Sequence, residues 1–351
     1  MDALWLVPEF VVQPASDVHP EALLLSSHVA SVRMRSGVAA TAWQRAGHRN
    51  RLLVPENSAA TGQPDLGSAR ICVVGKFLAE ANSDAWRGVI AGVKAAGGHV
   101  VADVCDYPFA KKSKTVVDFY EQVLPLCDAV TVNSVRMAEM MAPHVPRPPQ
   151  VIEDAILDAP CPPRFAPDAT LKLLWFGHQS NLRYLEPVID ALTAYSARQR
   201  CRLVVVTAPG FGVEQAAQQI NARHAPRFEV RFKPWSAEAT RVALAHCDLV
   251  LIPGDPHDPL KAGVSSNRLA EALQAGRLPV ASPLASYRSF SDAAWLGDDL
   301  IAGIDWALAN RDAALARIRR GQSRVADTLS ADVVGRQWCD LFVQMAGNDG
   351  S

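Results

Sequence analysis

The most constraining feature of this sequence is an alternation of short apolar runs with helix-length amphipathic segments, carried through the chain twice. In the first half Leu4–Val7, Asn50–Val54, Ala69–Val74, His99–Asp103, Ala129–Thr131 and Gln150–Ile152 read as strands. Glu21–Gly47, Asp84–Ala96, Thr115–Leu126 and Val135–Met141 read as helices between them. The second half repeats the pattern, from the strand Leu171–Phe176 and the helix Leu182–Gln199 through Cys201–Thr207, Phe228–Phe232, Asp248–Ile252 and Pro279–Ala281. Strands that alternate with helices pair in parallel, because each crossover brings the next strand back in the same direction. The expected fold is therefore α/β, with two doubly wound, Rossmann-like units.

Between the halves stands Pro160-Cys-Pro-Pro-Arg-Phe-Ala-Pro167, which suits neither a helix interior nor a central strand. It places a domain boundary near residue 165, giving a first domain over 1–165, a second over 166–330 and a terminal helix with its tail over 331–351. Two facing units of this kind are expected to hold ligands between them at their C-terminal strand ends.

The 351 residues carry 35 Lys plus Arg against 36 Asp plus Glu, a net charge of -1, so no global field favours nucleic acid. The seven cysteines form no C-x-x-C pair and read as reduced core residues. Met1–Val12 contains Asp2 and Glu9 and lacks a basic leader, so it is expected to be a strand and not a signal peptide. No 18-residue apolar stretch is free of charge, and a cytoplasmic protein is expected.

Two loops carry the chemistry. Asp248–Ser282 runs from a buried strand through a Gly/Pro/Asp-rich loop with Lys261 and Gly263 to a helix starting near Ser265 or Ser266. Either serine is an N-cap candidate. The helix start, together with Asn267, Lys261 and Arg268, suits a phosphate, and Glu271 one turn on suits a ribose diol. The same pattern also suits a plain capped helix with a solvated glutamate. The second loop, Gly177-His178-Gln-Ser-Asn181, leaves the first strand of the second half, with Ser180 or Asn181 at the helix start and Arg183 beyond. His178 and Arg183 add polar and cationic partners for a diphosphate.

These residues, with Phe232-Lys233-Pro-Trp-Ser236 and Glu271-Ala-Leu-Gln-Ala-Gly276-Arg-Leu-Pro279-Val, resemble the nucleotide-sugar domain of GT-B glycosyltransferases. The resemblance implies two facing Rossmann-like domains, a C-terminal helix crossing back to the first, and transfer of a sugar from a nucleotide diphosphate-sugar to a saccharide or lipid-linked saccharide. It implies donor contacts at Gly177, His178, Asn181, Arg183, Lys233, Lys261, Ser265, Ser266, Asn267, Arg268 and Glu271. It implies no cofactor and no metal, and the histidines show no H-x-x-x-H pair. Retaining members carry a second Glu eight positions before the Glu271 equivalent. Here Gly263 stands at that position, with Asp255 and Asp258 as the nearby carboxylates. A catalytically silent binding protein and a sugar-nucleotide epimerase of the same fold are the alternatives.

The first half resembles the acceptor domain more loosely. Lys76, Asp103, Asp106, Asn133 and Ser134 fall at or just past strand ends, and Lys76 and Asp103 are acceptor-binding candidates. Asp17, His19 and Asp106 are the candidates for a general base. Ala22–Pro55 contains no acid but includes Arg33 and Arg35, so that this run reads either as a solvated helix face or as a patch for an anionic acceptor or membrane surface.

Overall fold

A computed structural model describes residues 1–8, 18–56, 66, 68–110, 113–210 and 212–347. The chain forms two compact units. One comprises Met1–Leu157, Ala262–Ser265 and Thr328–Ser351, and the other Asp158–Lys261 and Ser266–Asp327.

The first unit holds a parallel sheet of β1 (Asp2–Leu6), β2 (Arg49–Leu53), β3 (Ala69–Val74), β4 (His99–Val104), β5 (Ala129–Val132) and β6 (Gln150–Val151). Their order is β2-β1-β3-β4-β5-β6. Parallel strands bury both faces, and the side chains divide accordingly. Leu4, Leu6, Cys72 and Val74 enter one core with Trp86 and Phe119. Their alternates Ala3, Trp5, Ile71 and Val73 enter another with Trp43 and Trp338.

The helix Ala331–Gly347 contributes Val334, Trp338, Leu341, Phe342 and Met345 to that second core, a helical spacing of one buried stripe. Phe342 meets Trp43 edge-on at 5.2 Å and Trp5 at 6.0 Å. Gly335 permits the approach to the helix Val38–Arg45, since a Cβ there would lie 2.7 Å from Ala42 Cβ.

The single helix expected over Glu21–Gly47 is broken. Pro20–Ser26 is one helix, the chain then turns, and Val32–Gly37 is a wider π-helical turn leading into Val38–Arg45. Gly37 is the contact between the two arms, for a Cβ on it would lie 2.9 Å from the Leu25 amide nitrogen. The π turn redirects Arg35 into the core.

The second unit's sheet is β12-β11-β10-β7-β8-β9. It comprises β7 (Leu171–Phe176), β8 (Cys201–Thr207), β9 (Phe228–Pro234), β10 (Leu249–Ile252), β11 (Leu278–Ala281) and β12 (Trp295–Leu296). Leu171, Leu173, Trp175, Leu203 and Leu251 supply its core. The proline-rich connector packs within this unit, with Cys161 and Arg164 amides donating to the Gln274 and Gly276 carbonyls at 2.8 and 2.9 Å. Gly276, at φ +74°, ends the helix Asn267–Gln274 in a left-handed turn, and a Cβ on it would collide with the Pro162 carbonyl.

Candidate functional site

In the second unit β7 lies beside β10, and the order runs outward from this pair in both directions. Successive crossovers therefore leave on opposite faces, and the loops after β7 and β10 separate at their C-terminal ends. Such a switch point is where open α/β sheets bind ligands. Gly177, His178 and Asn181 lie on one loop, with Arg183 on the helix that follows. Lys261 and Asp258 lie on the other, which leads to Ser266, Asn267, Arg268 and Glu271.

Gly177 is packed against Arg268. A Cβ there would sit 3.2 Å from Arg268 Nη1, and its φ of +157° is one that side chains disfavour. Arg268 Nη1 is itself buried without a hydrogen-bond partner among the described residues. The Asn181 Oδ1 and Thr207 Oγ1 atoms share that state. Thr207 ends β8, and sequence reading had not singled it out. Buried polar atoms are normally paired, so these three, one at the end of β8 and the others on the segments that follow β7 and β10, are groups that a polar ligand would satisfy.

The expected caps differ from the observed ones. His178, not Ser180 or Asn181, caps the short 3-10 turn Gln179–Asn181, its Nδ1 accepting the Ser180 amide at 3.2 Å. Ser266 makes no side-chain cap to the Asn267–Gln274 helix. Instead Asn267 Oδ1 accepts the Arg268 amide at 2.7 Å. Ser265 is engaged elsewhere, in the first unit, because its hydroxyl donates to Asp154 Oδ2 at 2.6 Å. Glu271 lies half-buried on the same helix, one turn beyond Asn267. Lys233 is exposed near the end of β9.

Arg183 Nη2 lies 2.5 Å from Asp258 Oδ2, and the Tyr184 hydroxyl donates to the same oxygen. Lys261 Nζ lies 6.0 Å from the centre of the Tyr184 ring. Beside this group is a pocket of about 240 Å³ lined by Arg183, Tyr184, Pro253, Gly254, Ser282 and Asp298, at the C-terminal ends of β10 and β11. Asp255 is exposed and turned to its own loop, accepting the His257 amide at 2.8 Å.

In the first unit the basic run proves to be divided. Arg35 is fully buried. Its Nη2 donates to Asp103 Oδ1 at 2.7 Å, its Nε to both Asp103 oxygens at 3.0 Å, and its Nη1 to Asp154 Oδ1 at 3.2 Å. Arg35 and Asp103 are thus not an exposed acceptor surface: each neutralises the other inside the core, where an unpaired charge is costly. Thr131 Oγ1 donates to Asp103 at 2.9 Å and completes its coordination. Burial pushes the Asp154 carboxyl up, against the opposing pull of Arg35 and the Ser265 hydroxyl. Arg33 is half-buried and donates to the Ser27 carbonyl at 2.8 Å.

Lys76 Nζ pairs with Asp106 Oδ2 at 2.7 Å, both partly exposed just past the ends of β3 and β4. His19 is largely exposed at the start of the Pro20–Ser26 helix, 3.8 Å from Glu21. Asp17 lies outside the described residues. Asn133 donates to the Cys105 carbonyl at 2.9 Å, and Ser134 caps the Val135–Met141 helix while donating to the Gly263 carbonyl at 3.0 Å. No group of three or more His, Cys, Asp and Glu side chains among the described residues is arranged to hold a metal. No described helix is long and apolar enough to cross a membrane.

No protein-family model matches the chain, and no curated protein matches it by sequence. Its structure is similar to several solved ones. HepE of Anabaena in complex with UDP-glucose matches with a TM-score of 0.66 at 14% identity, covering 98% of this chain and 100% of that one. Sucrose-phosphate synthase from Thermosynechococcus elongatus matches at 0.71 and 13% identity, and a glycosyltransferase from Rickettsia africae at 0.72 and 10%, each covering 99% of both chains. With two six-stranded parallel sheets in this strand order and likeness over its whole length to such structures, the chain has the fold of the GT-B glycosyltransferases.

Proposed function

We propose that the protein is a glycosyltransferase that binds a nucleotide diphosphate-sugar at the β7/β10 strand ends of its second unit. It passes the sugar to a hydroxyl of a saccharide or lipid-linked saccharide. The observation that carries this reading is the buried, unpartnered Arg268 Nη1 against Gly177, a cation and a Cβ-free backbone at the switch point. HepE, of similar fold, is a UDP-glucose complex.

In this reaction the bond from the anomeric carbon to the diphosphate breaks and one to the acceptor oxygen forms, with the acceptor's proton passing to a base. Arg268, Arg183 and Lys261 would meet the charge that develops on the leaving diphosphate, without a divalent ion. Glu271 would accept hydrogen bonds from the ribose. On the acceptor side Asp106, oriented by Lys76, is the described carboxylate best placed at a strand end to take the proton, and His19 is the other candidate. The seven cysteines are free thiols, in keeping with a reducing cytoplasm.

A second reading, a donor-binding protein without transferase activity, is favoured by Gly263. The position where retaining members of the fold carry a glutamate is crowded here, since a Cβ would lie 2.8 Å from Met137 Cε and could be housed only if that side chain shifted. Incubation with UDP-, GDP-, CMP- and dTDP-sugars separates the two, with release of nucleotide and sugar transfer followed by mass spectrometry. Turnover of any donor supports the transferase. Binding of a nucleotide by calorimetry with no turnover of any of these donors supports the silent protein, and absence of both removes the donor site.

A further inference from the structure

The Arg183–Asp258 pair joins the loop region after β7 to the loop after β10, on the two strands that part at the switch point. Its members are unequal. The Asp258 side chain is 16% exposed and the Arg183 side chain 53%. Asp258 is held from three directions: by Arg183, by the Tyr184 hydroxyl and by the Leu260 amide, which donates to Oδ1 at 2.8 Å. Burial alone would raise the carboxyl, but these donors together with Lys261 hold it below the usual carboxylate range, so that it carries a full negative charge at neutral pH. Arg183 is preset in turn, its guanidinium lying 4.8 Å from the centre of the Tyr184 ring and donating to the Tyr184 hydroxyl at 2.6 Å. The cation that a diphosphate would use is thus already matched to an oxyanion of similar geometry.

We propose that Asp258 is a built-in competitor of the donor diphosphate, occupying Arg183 until the diphosphate displaces it and thereby setting donor affinity. This rests on the donor reading above. A diphosphate reaching Arg183 either shares the guanidinium with Asp258 or evicts it, and in both cases a fixed negative charge opposes a doubly charged ligand. Most residues that touch a ligand weaken binding when neutralised. Asp258 has the opposite sign, because neutralising it leaves Arg183 unclaimed, while the single carbonyl oxygen of an amide in its place still accepts from the Leu260 amide and its NH2 group can donate to a reoriented Tyr184 hydroxyl.

The test is calorimetric titration of the full chain with UDP and with inorganic pyrophosphate. Wild type is compared with Asp258→Asn, Asp258→Ser, Arg183→Gln, the Arg183→Gln/Asp258→Asn pair and Glu271→Ala, each checked for wild-type circular dichroism. Asp258→Asn is expected to tighten both ligands about fivefold, the order of one like-charge contact removed at a partly exposed site. The gain should shrink when Arg183 is already Gln, which a double-mutant cycle reads directly. Folded Asp258 variants that bind no tighter than wild type, while Glu271→Ala binds UDP more weakly, would overturn the competitor and leave the donor site standing. Failure of wild type and every variant to bind either ligand would remove both.

Discussion

Arg35 and Asp103 meet through three hydrogen bonds, two from Nε at 3.0 Å and one from Nη2 at 2.7 Å, with the arginine wholly enclosed and the aspartate 4% exposed. Removing one partner leaves the other's charge buried and unpaired, so Arg35→Met is expected to cost about 3–5 kcal/mol of stability. Arg33→Gln, on a half-exposed side chain bonded to one carbonyl, should cost far less. Urea denaturation of the two variants checks the contrast, and equal losses would contradict it.

Acid stability is expected to depend on Asp2. Its carboxyl lies below the ordinary value of 3.8, chiefly because the Ser68 hydroxyl donates to Oδ2 at 2.5 Å; burial opposes this, and Arg49 adds to it through two hydrogen bonds. A depressed carboxyl supplies stability above its unfolded value that is lost as pH falls through its folded value. Below about pH 4, wild type should therefore lose stability more steeply than Asp2→Asn. Urea midpoints measured at neutral pH and across the acid limb give the comparison, and parallel curves would exclude the effect.

At the proposed donor site, Glu271→Ala should weaken nucleotide binding by about 1.5–3 kcal/mol, the usual loss for a hydrogen bond to a charged group. The thermal midpoint should change little, since the side chain is only half-buried. Unaltered nucleotide affinity in the folded variant would remove Glu271 from the site.

Placing a glutamate at position 263, where the proposed function would have one in a retaining enzyme of this fold, should not help. Gly263→Glu pushes a side chain into Met137, whose Sδ lies 3.1 Å from the would-be Cβ, and overpacking of this kind costs about 1–3 kcal/mol. The variant is expected to be less stable and no faster with any nucleotide sugar. A gain in turnover would show that Met137 yields.

The terminal helix offers a large effect. Trp338 is fully enclosed in the same core as Trp5 and Trp43, so Trp338→Ala should cost about 3–5 kcal/mol. Hydrogen exchange should report the loss in β1 and in the Val38–Arg45 helix. Unchanged protection there would mean that the helix contributes little to that core.

The strand–helix alternation was legible because short continuous apolar runs between helix-length amphipathic segments are local signals, and all the main strands fall within a residue or two of where those signals place them. The break after Ser26 was not, since it depends on Gly37 meeting Leu24 and Leu25 in space. The burial of Arg35 was equally hidden. Its acidic partners lie 68 and 119 positions along the chain, so a local window around it shows only basic residues. At the candidate site the Gly177 and Asn267–Glu271 elements stood out by composition. Neither the orphaned nitrogen of Arg268 nor the pairing of Arg183 with Asp258 leaves a mark in spacing.

The first unit is assembled from the two ends of the chain, and this bears on how it is made. Trp5 and Trp43 are synthesised early, whereas Trp338 and Phe342, which cover them, come some 300 positions later. At roughly 5–20 residues per second, the aromatic face of the nascent sheet waits on the order of 15–60 s for its cover. During that interval the second unit, contiguous apart from four residues, can be synthesised and folded in full. The uncovered tryptophans are thus the apolar surface that the partly made chain exposes longest, and synthesis of the Ala331–Gly347 helix is the event that covers it.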